Sequence, residues 1–203
     1  PSEDPDAIVG TLRFADGRTL SIATVARSIA ATDRDDRIIV PSAGTTAGSD
    51  PFGGAGDDWI ETGRGADILT GGVGNDRLEG NGGGDAYYFA RGDGRDRILD
   101  LGETSATALD RIRFAPGIDP GDIVVRATGP RDLVVGIAGT EDRLMLANIF
   151  AAAPSGQDYR IEQFAFANGT VWSFDQILAL AATGTDTDET IDLGSEAAFA
   201  LTL

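Results

Sequence analysis

Residues 53–88 read Gly53-Gly-Ala-Gly-Asp-Asp-Trp-Ile-Glu61, Thr62-Gly-Arg-Gly-Ala-Asp-Ile-Leu-Thr70, Gly71-Gly-Val-Gly-Asn-Asp-Arg-Leu-Glu79 and Gly80-Asn-Gly-Gly-Gly-Asp-Ala-Tyr-Tyr88, four nonamers without a gap. The fourth position is always Gly, the sixth is Asp58, Asp67, Asp76 and Asp85, and the eighth is Ile60, Leu69, Leu78 and Tyr87. A Gly/Asp-rich flexible linker has no reason to place an apolar residue two positions after every Asp. The phase marks a repeat architecture whose units stack to share one core.

Each nonamer supplies six residues of turn and three of strand. Glycine at positions two and four permits positive φ, so that carbonyl oxygens can converge, and the Asp at six closes the same point with a carboxylate. Strand alternation sends the eighth residue inward and the seventh and ninth outward. Two nonamers complete a coil, so repeat n stacks on repeat n+2. Residues 59–61 then pair with 77–79, and 68–70 with 86–88.

Stacked turns of this kind suit calcium, a hard cation that takes six or more oxygens at roughly 2.3–2.6 Å; magnesium, which wants a tighter octahedron, competes poorly. The expected ligands are Asp58 with Asp76 on one edge and Asp67 with Asp85 on the other. Carbonyls of Gly54, Gly56, Gly63, Gly65, Gly72, Gly74 and Gly83 complete the shells. Degenerate turns flank the block. Gly92-Asp93-Gly94-Arg95-Asp96-Arg97-Ile98 follows a two-residue slip and places Asp96 to serve a further site with Asp76. Upstream, Gly48-Ser49-Asp50-Pro51-Phe52 offers Asp50 as a partner for Asp67, and Asp35-Asp36-Arg37-Ile38 offers Asp36 either as a ligand or as an ordinary solvated turn acid.

Composition narrows the chemistry. The 203 residues hold 25 Asp against 8 Glu, a net charge of −17, and 41% hydrophobic residues, enough for a real core. Asp belongs to turns and hard-cation sites, whereas solvated helix faces would favour Glu. The 16 basic residues are all Arg, with no His, Cys or Lys. Disulfides, imidazole bases, triads and Schiff-base amines are thereby excluded, and the lack of thiolate and imidazole ligands argues against zinc and iron sites. So strong a negative charge argues against nucleic acid and anionic membranes. No stretch is apolar enough for a membrane-spanning helix. The chain opens on Pro1 and is read as a piece of a longer protein.

The nonamers resemble the RTX (repeats-in-toxin) nonapeptide, a calcium-binding parallel β-helix repeat. That resemblance implies a right-handed parallel β-roll, and export of the unfolded chain by type I secretion. Residues 100–182 lose the nonamer and gain alternating strands, predicted at 109–114, 122–128, 131–138, 142–146, 160–166 and 170–173. Short helices are predicted at 146–152 and 174–182, the second capped by Ser173 with Asp175 in its first turn. Asn168-Gly169 signals a hairpin. Over about residues 86–180 the chain resembles the domain that accompanies RTX repeats in haemolysin-type calcium-binding proteins. The likeness rests on Asp110-Arg-Ile-Arg-Phe114, Asp132-Leu-Val-Val135, Asn148-Ile-Phe150 and Ile161-Glu-Gln-Phe-Ala-Phe-Ala-Asn-Gly-Thr-Val-Trp172. Asn168 stands where that family's turn has Asp, which weakens any ion-binding role there.

A longer period is also present. Phe14-Ala-Asp-Gly-Arg-Thr-Leu-Ser-Ile22 matches Phe166-Ala-Asn-Gly-Thr-Val-Trp-Ser-Phe174 at an offset of 152 residues, and residues 32–38 match 185–191 at 153. A tandem array and a single duplication would look the same.

The expectation is therefore an all-β chain: a nonapeptide β-solenoid flanked and capped by a β-strand-rich, sandwich-like region with one or two short helices. Its parts would be the tail of a preceding unit (1–31), the calcium-binding roll (32–98), the capping region (99–182) and the start of the next repeat block (183–203). The expected role is that of a non-enzymatic, calcium-binding structural module of a secreted or cell-surface protein. It would hold three or more ions, contact neighbouring repeat units of the same chain, and be disordered over 50–98 without calcium. The alternative is a calcium-dependent adhesion module that binds a surface glycan or a protein, using Trp59 and Arg77 on one outward face.

Overall fold

The computed structural model describes residues 11–13, 19–21, 32–40, 48–103, 108–152 and 157–183. Expectations for the rest of 1–31 and for 184–203 lie outside the described residues.

The nonamer strands form as the phase requires. On one side Arg37–Ile39 (β3), Trp59–Glu61 (β5), Arg77–Glu79 (β7) and Arg95–Ile98 (β9) run parallel, with Ile38 beside Ile60, Ile60 beside Leu78, and Leu78 beside Ile98. On the other, Phe52–Ala55 (β4), Ile68–Val73 (β6) and Ala86–Phe89 (β8) stack with Leu69 beside Tyr87. These coils are a β-solenoid of about three turns, a parallel β-roll.

Neither sheet stops where the nonamers do. Arg143–Leu146 (β14) pairs in parallel with β9, and Asp132–Ile137 (β13) and Ile123–Thr128 (β12) follow antiparallel, giving a seven-stranded sheet. Arg111–Phe114 (β11) pairs in parallel with β8, then Gln163–Ala165 (β16) in parallel and Val171–Ser173 (β17) antiparallel, giving a six-stranded sheet. The expected capping strands are thus extensions of the roll's own two sheets. A short antiparallel pair, Gly102–Glu103 (β10) with Gln157–Asp158 (β15), lies beside them.

The side chains that point inward from both sheets share one core. Ile60, Leu69, Leu78, Tyr87, Ile98, Ile112, Leu144 and Phe164 are all fully buried in it. At the far end Phe114 stacks on Phe166, whose ring meets Trp172 edge to face at 4.9 Å. The helix Phe174–Thr183 follows β17 and packs on β12, so it closes the open end of the core with Ile177, Leu178 and Ala181. Ser173 caps its start as predicted, its Oγ accepting from Gln176 N–H, and Gln176 Oε1 accepts in return from Ser173 N–H at 2.8 Å, which completes a capping box.

The predicted helix at 146–152 does not form. Residues 147–150 are turns, and Asn148 is left-handed at φ 59°, which ends any right-handed helix. The Asn148 N–H is taken by the Asp132 carboxylate at 2.7 Å, and that of Phe150 by the Arg131 carbonyl, so the segment is bonded back to β13.

The long period has a structural counterpart. Thr11–Arg13 (β1) and Thr19–Ser21 (β2) form a hairpin with Leu12 opposite Leu20, the register that β16 and β17 repeat with Phe164 opposite Trp172, 152 residues later.

Candidate metal centre

The sixth-position aspartates form two ladders along the edges of the roll. On one, Asp36 N–H donates to Asp58 Oδ1 (2.8 Å), Asp58 N–H to Asp76 Oδ1 (2.7 Å) and Asp76 N–H to Asp96 Oδ1 (3.0 Å). On the other, Ser49 N–H donates to Asp67 Oδ1, Asp67 N–H to Asp85 Oδ1 (2.8 Å), Asp85 N–H to Asp110 Oδ1 (2.7 Å) and Asp110 N–H to Glu162 Oε2 (2.7 Å). The stacking of Asp58 with Asp76, Asp67 with Asp85 and Asp76 with Asp96 is therefore present. The amide rung on Asp67 is made by Ser49 and not by Asp50: Phe52 lies beside Thr70, and that register brings Ser49 to the rung, where its hydroxyl also donates to Asp67 Oδ1 at 2.7 Å.

In five of these carboxylates one oxygen is used and the other is stranded. Oδ2 of Asp58, Asp67, Asp76, Asp85 and Asp96 is buried without a hydrogen-bond partner. A buried acceptor left unsatisfied is costly, and an ionised one far more so. Burial accordingly lifts the Asp76 carboxyl to about 6 and those of Asp85 and Asp96 to about 8; neighbouring aspartates push the same way, while the ladder N–H bonds partly oppose. Asp58 is raised for the same reasons. A row of buried, unpaired carboxylate oxygens is a donor set that fits a hard cation and few other groups.

The glycines make the room. A Cβ on Gly53, Gly71 or Gly80 would stand within 2.3 Å of Oδ2 of Asp58, Asp76 or Asp85, so glycine at the first position keeps that oxygen clear in three of the four nonamers, a feature the sequence reading missed; the second nonamer has Thr62 there. Gly54, Gly56, Gly72, Gly74 and Gly83 carry the expected positive φ, but Gly63 and Gly65 do not. There the turn above supplies the left-handed residues: Asn81 at φ 64°, whose amide donates to the Thr62 carbonyl, and Gly83. Carbonyls of Gly54, Gly56, Gly65 and Gly74 all face the glycine stacked above them, and that of Gly63 accepts from Gly82 N–H.

Asp110 and Glu162 are rungs that the sequence reading did not assign. The signal for Asp110 was in view, since Asp110-Arg111-Ile112 repeats the Asp-x-apolar ending of a nonamer. The coil leading to it is 25 residues long rather than 18, so a search for constant spacing passes it by. On the outer face, the guanidinium carbons of Arg37 and Arg77 lie 4.2 and 4.8 Å from the centre of the Trp59 ring.

Comparison with known families agrees with this geometry. Residues 52–87 match the RTX calcium-binding nonapeptide repeat (4 copies), and residues 132–176 match the haemolysin-type calcium binding protein related domain. No curated protein matches the chain. With its repeats in phase and their carboxylates laddered, the chain carries RTX-type calcium-binding nonapeptide repeats over residues 52–87, and the sheets they form run on toward a segment, 132–176, that matches the haemolysin-type calcium binding protein related domain.

Proposed function

We propose that this module is a structural element of a larger secreted or cell-surface protein, disordered without calcium and folded by it after export. The observation that carries this reading is the row of stranded Oδ2 atoms. Ions seated between stacked turns would be held by Asp58 with Asp76, Asp67 with Asp85, and Asp76 with Asp96. Turn carbonyls of Gly54, Gly56, Gly63, Gly65, Gly72, Gly74 and Gly83 would assist, giving three or more ions. Asp50, next to the Ser49 rung, would add a carboxylate on the edge of Asp67. Calcium supplies positive charge where the chain has buried negative charge, and the chain's own part is to hold the oxygens in register.

Each nonamer contributes one core side chain, too little to offset chain entropy together with carboxylate repulsion. A site at 100 times its dissociation constant adds about 2.7 kcal/mol, so three or four sites rival the whole stability of a small domain. Extracellular calcium modules bind at roughly 10⁻⁴–10⁻³ M, which leaves the chain unfolded at cytosolic calcium and folded outside. Far-UV circular dichroism tests this. Strand signal should appear only with calcium; equal strand content with chelator and with millimolar calcium would overturn the reading.

The arginines over Trp59 fill the ring surface on which a sugar would stack, which disfavours the glycan-binding alternative. A non-catalytic role agrees with a chain that carries neither His, Cys nor Lys.

A further inference from the structure

Three carboxylates meet where the nonamers end. Asp85, Asp100 and Asp110 each offer an oxygen within 4.8 Å of the other two, and all three residues are buried, with exposures of 0%, 1% and 2%. Asp85 precedes β8 and Asp110 precedes β11, the strand that stacks on it. Asp100 comes from the crossover out of β9, so it reaches the site from the opposite sheet.

Asp100 is fixed from one side only. Its Oδ2 accepts from the Tyr87 hydroxyl at 2.6 Å, and that hydroxyl accepts in turn from the Gly80 N–H at 3.0 Å. Its Oδ1 has no partner, and neither has Asp85 Oδ2. Among the described residues no arginine forms an ion pair with any of the three. Gly102 lies against the group, where a Cβ would stand 2.7 Å from Asp110 Oδ2. Carboxylates gathered in a core, oriented by a buried phenol and left with unpartnered oxygens call for a cation to make their burial tolerable.

The geometry points to a calcium site made by Asp85, Asp100 and Asp110, beyond the nonamer pairs and different from them in taking a third carboxylate from the crossover. It rests on the calcium-binding reading above. More ligand charge in a rigid setting tightens calcium binding, so this is the tightest site of the chain. It fastens β11 and residues 99–102 onto the last nonamer coil.

Crystals of the whole chain grown with terbium, a calcium substitute with strong anomalous scattering, give the test. An anomalous peak within bonding distance of all three carboxylates is the expected result. Peaks confined to the Asp58–Asp76, Asp67–Asp85 and Asp76–Asp96 turns would overturn this inference and leave the module's function standing; no peak anywhere would overturn both. In solution, Asp100→Asn should remove one calcium equivalent by calorimetry and weaken the tightest remaining Kd by about tenfold or more. Unchanged stoichiometry and affinity would count against the site. If Asp100→Asn does not fold, the wild-type crystals still decide.

Discussion

The main-chain N–H of Asp58 donates to Oδ1 of Asp76, 2.7 Å away and 18 residues further along the chain. That bond gives Asp76 two separable tasks, since Oδ1 holds the coil before it and Oδ2 is left for a cation. Asp76→Asn keeps an acceptor for the Asp58 amide but loses the charge. It should raise the calcium midpoint for folding by about tenfold. Asp76→Ala also orphans a buried N–H, at a further cost of about 1–3 kcal/mol. Calcium titrations followed by circular dichroism should rank wild type, Asn, then Ala.

Two glycines with similar backbones should respond very differently to alanine. Gly72, at φ 107°, would place a Cβ 2.1 Å from the Gly54 carbonyl oxygen, whereas Gly117, at φ 91°, has open space around it. Gly117→Ala should cost only the left-handed backbone term, about 1–2 kcal/mol. Gly72→Ala adds a clash between stacked coils, for a total of roughly 3–5 kcal/mol. Urea unfolding at saturating calcium separates the two.

The calcium-free chain should gain structure on acidification. Burial raises the folded-state carboxyls of Asp76 to about 6, Asp110 to about 7, and Asp85 and Asp96 to about 8, all above the unfolded value of about 3.9. Between these limits the folded state binds more protons than the unfolded one, so its stability falls as pH rises and is fully recovered only below about 3.9. Chain stripped of metal on a chelating resin should therefore show growing strand content between about pH 8 and about pH 5. A flat or opposite trend would contradict the sign.

Because both sheets run from the nonamers into the strands that follow, roll and cap should fold as one unit. Trp59 sits on β5 and Trp172 on β17, and they are the only two tryptophans. Fluorescence of Trp172→Phe and Trp59→Phe variants should give one common calcium midpoint. Two midpoints would mean that the parts fold separately.

Much of this was legible because the roll repeats at short range. Fixing Asp at six and an apolar residue at eight sets both the strand register and the carboxylate rungs, so Asp58, Asp67, Asp76, Asp85 and Asp96 stand where the phase puts them. Legibility fails where local pattern and long-range pairing part company. Asp50 looks like a rung, but the register with Thr70 selects Ser49. Residues 146–152 look helical, but Asp132, on a strand distant in sequence, captures the Asn148 amide. The joining of the downstream strands to the roll's own sheets depends on β8 with β11 and β9 with β14, pairings that no window of sequence contains. Asp100 carries no phase at all, and only the crossover brings it to Asp85 and Asp110.

The two inner ladders have a polarity, opposite to that of the exposed row in which Asp35 and Asp57 accept from the later amides of Asp57 and Asn75. From Asp36 to Asp110, every rung satisfies an amide with a carboxylate that comes later in the chain, by 18 to 52 residues. A chain emerging N-terminus first therefore leaves the amides of Asp36, Ser49 and Asp58 open until the carboxylates of Asp58, Asp67 and Asp76 arrive. The inner ladders are thus complete only once their last rungs are in place, and a truncation that removes Glu162 leaves the Asp110 amide without its acceptor.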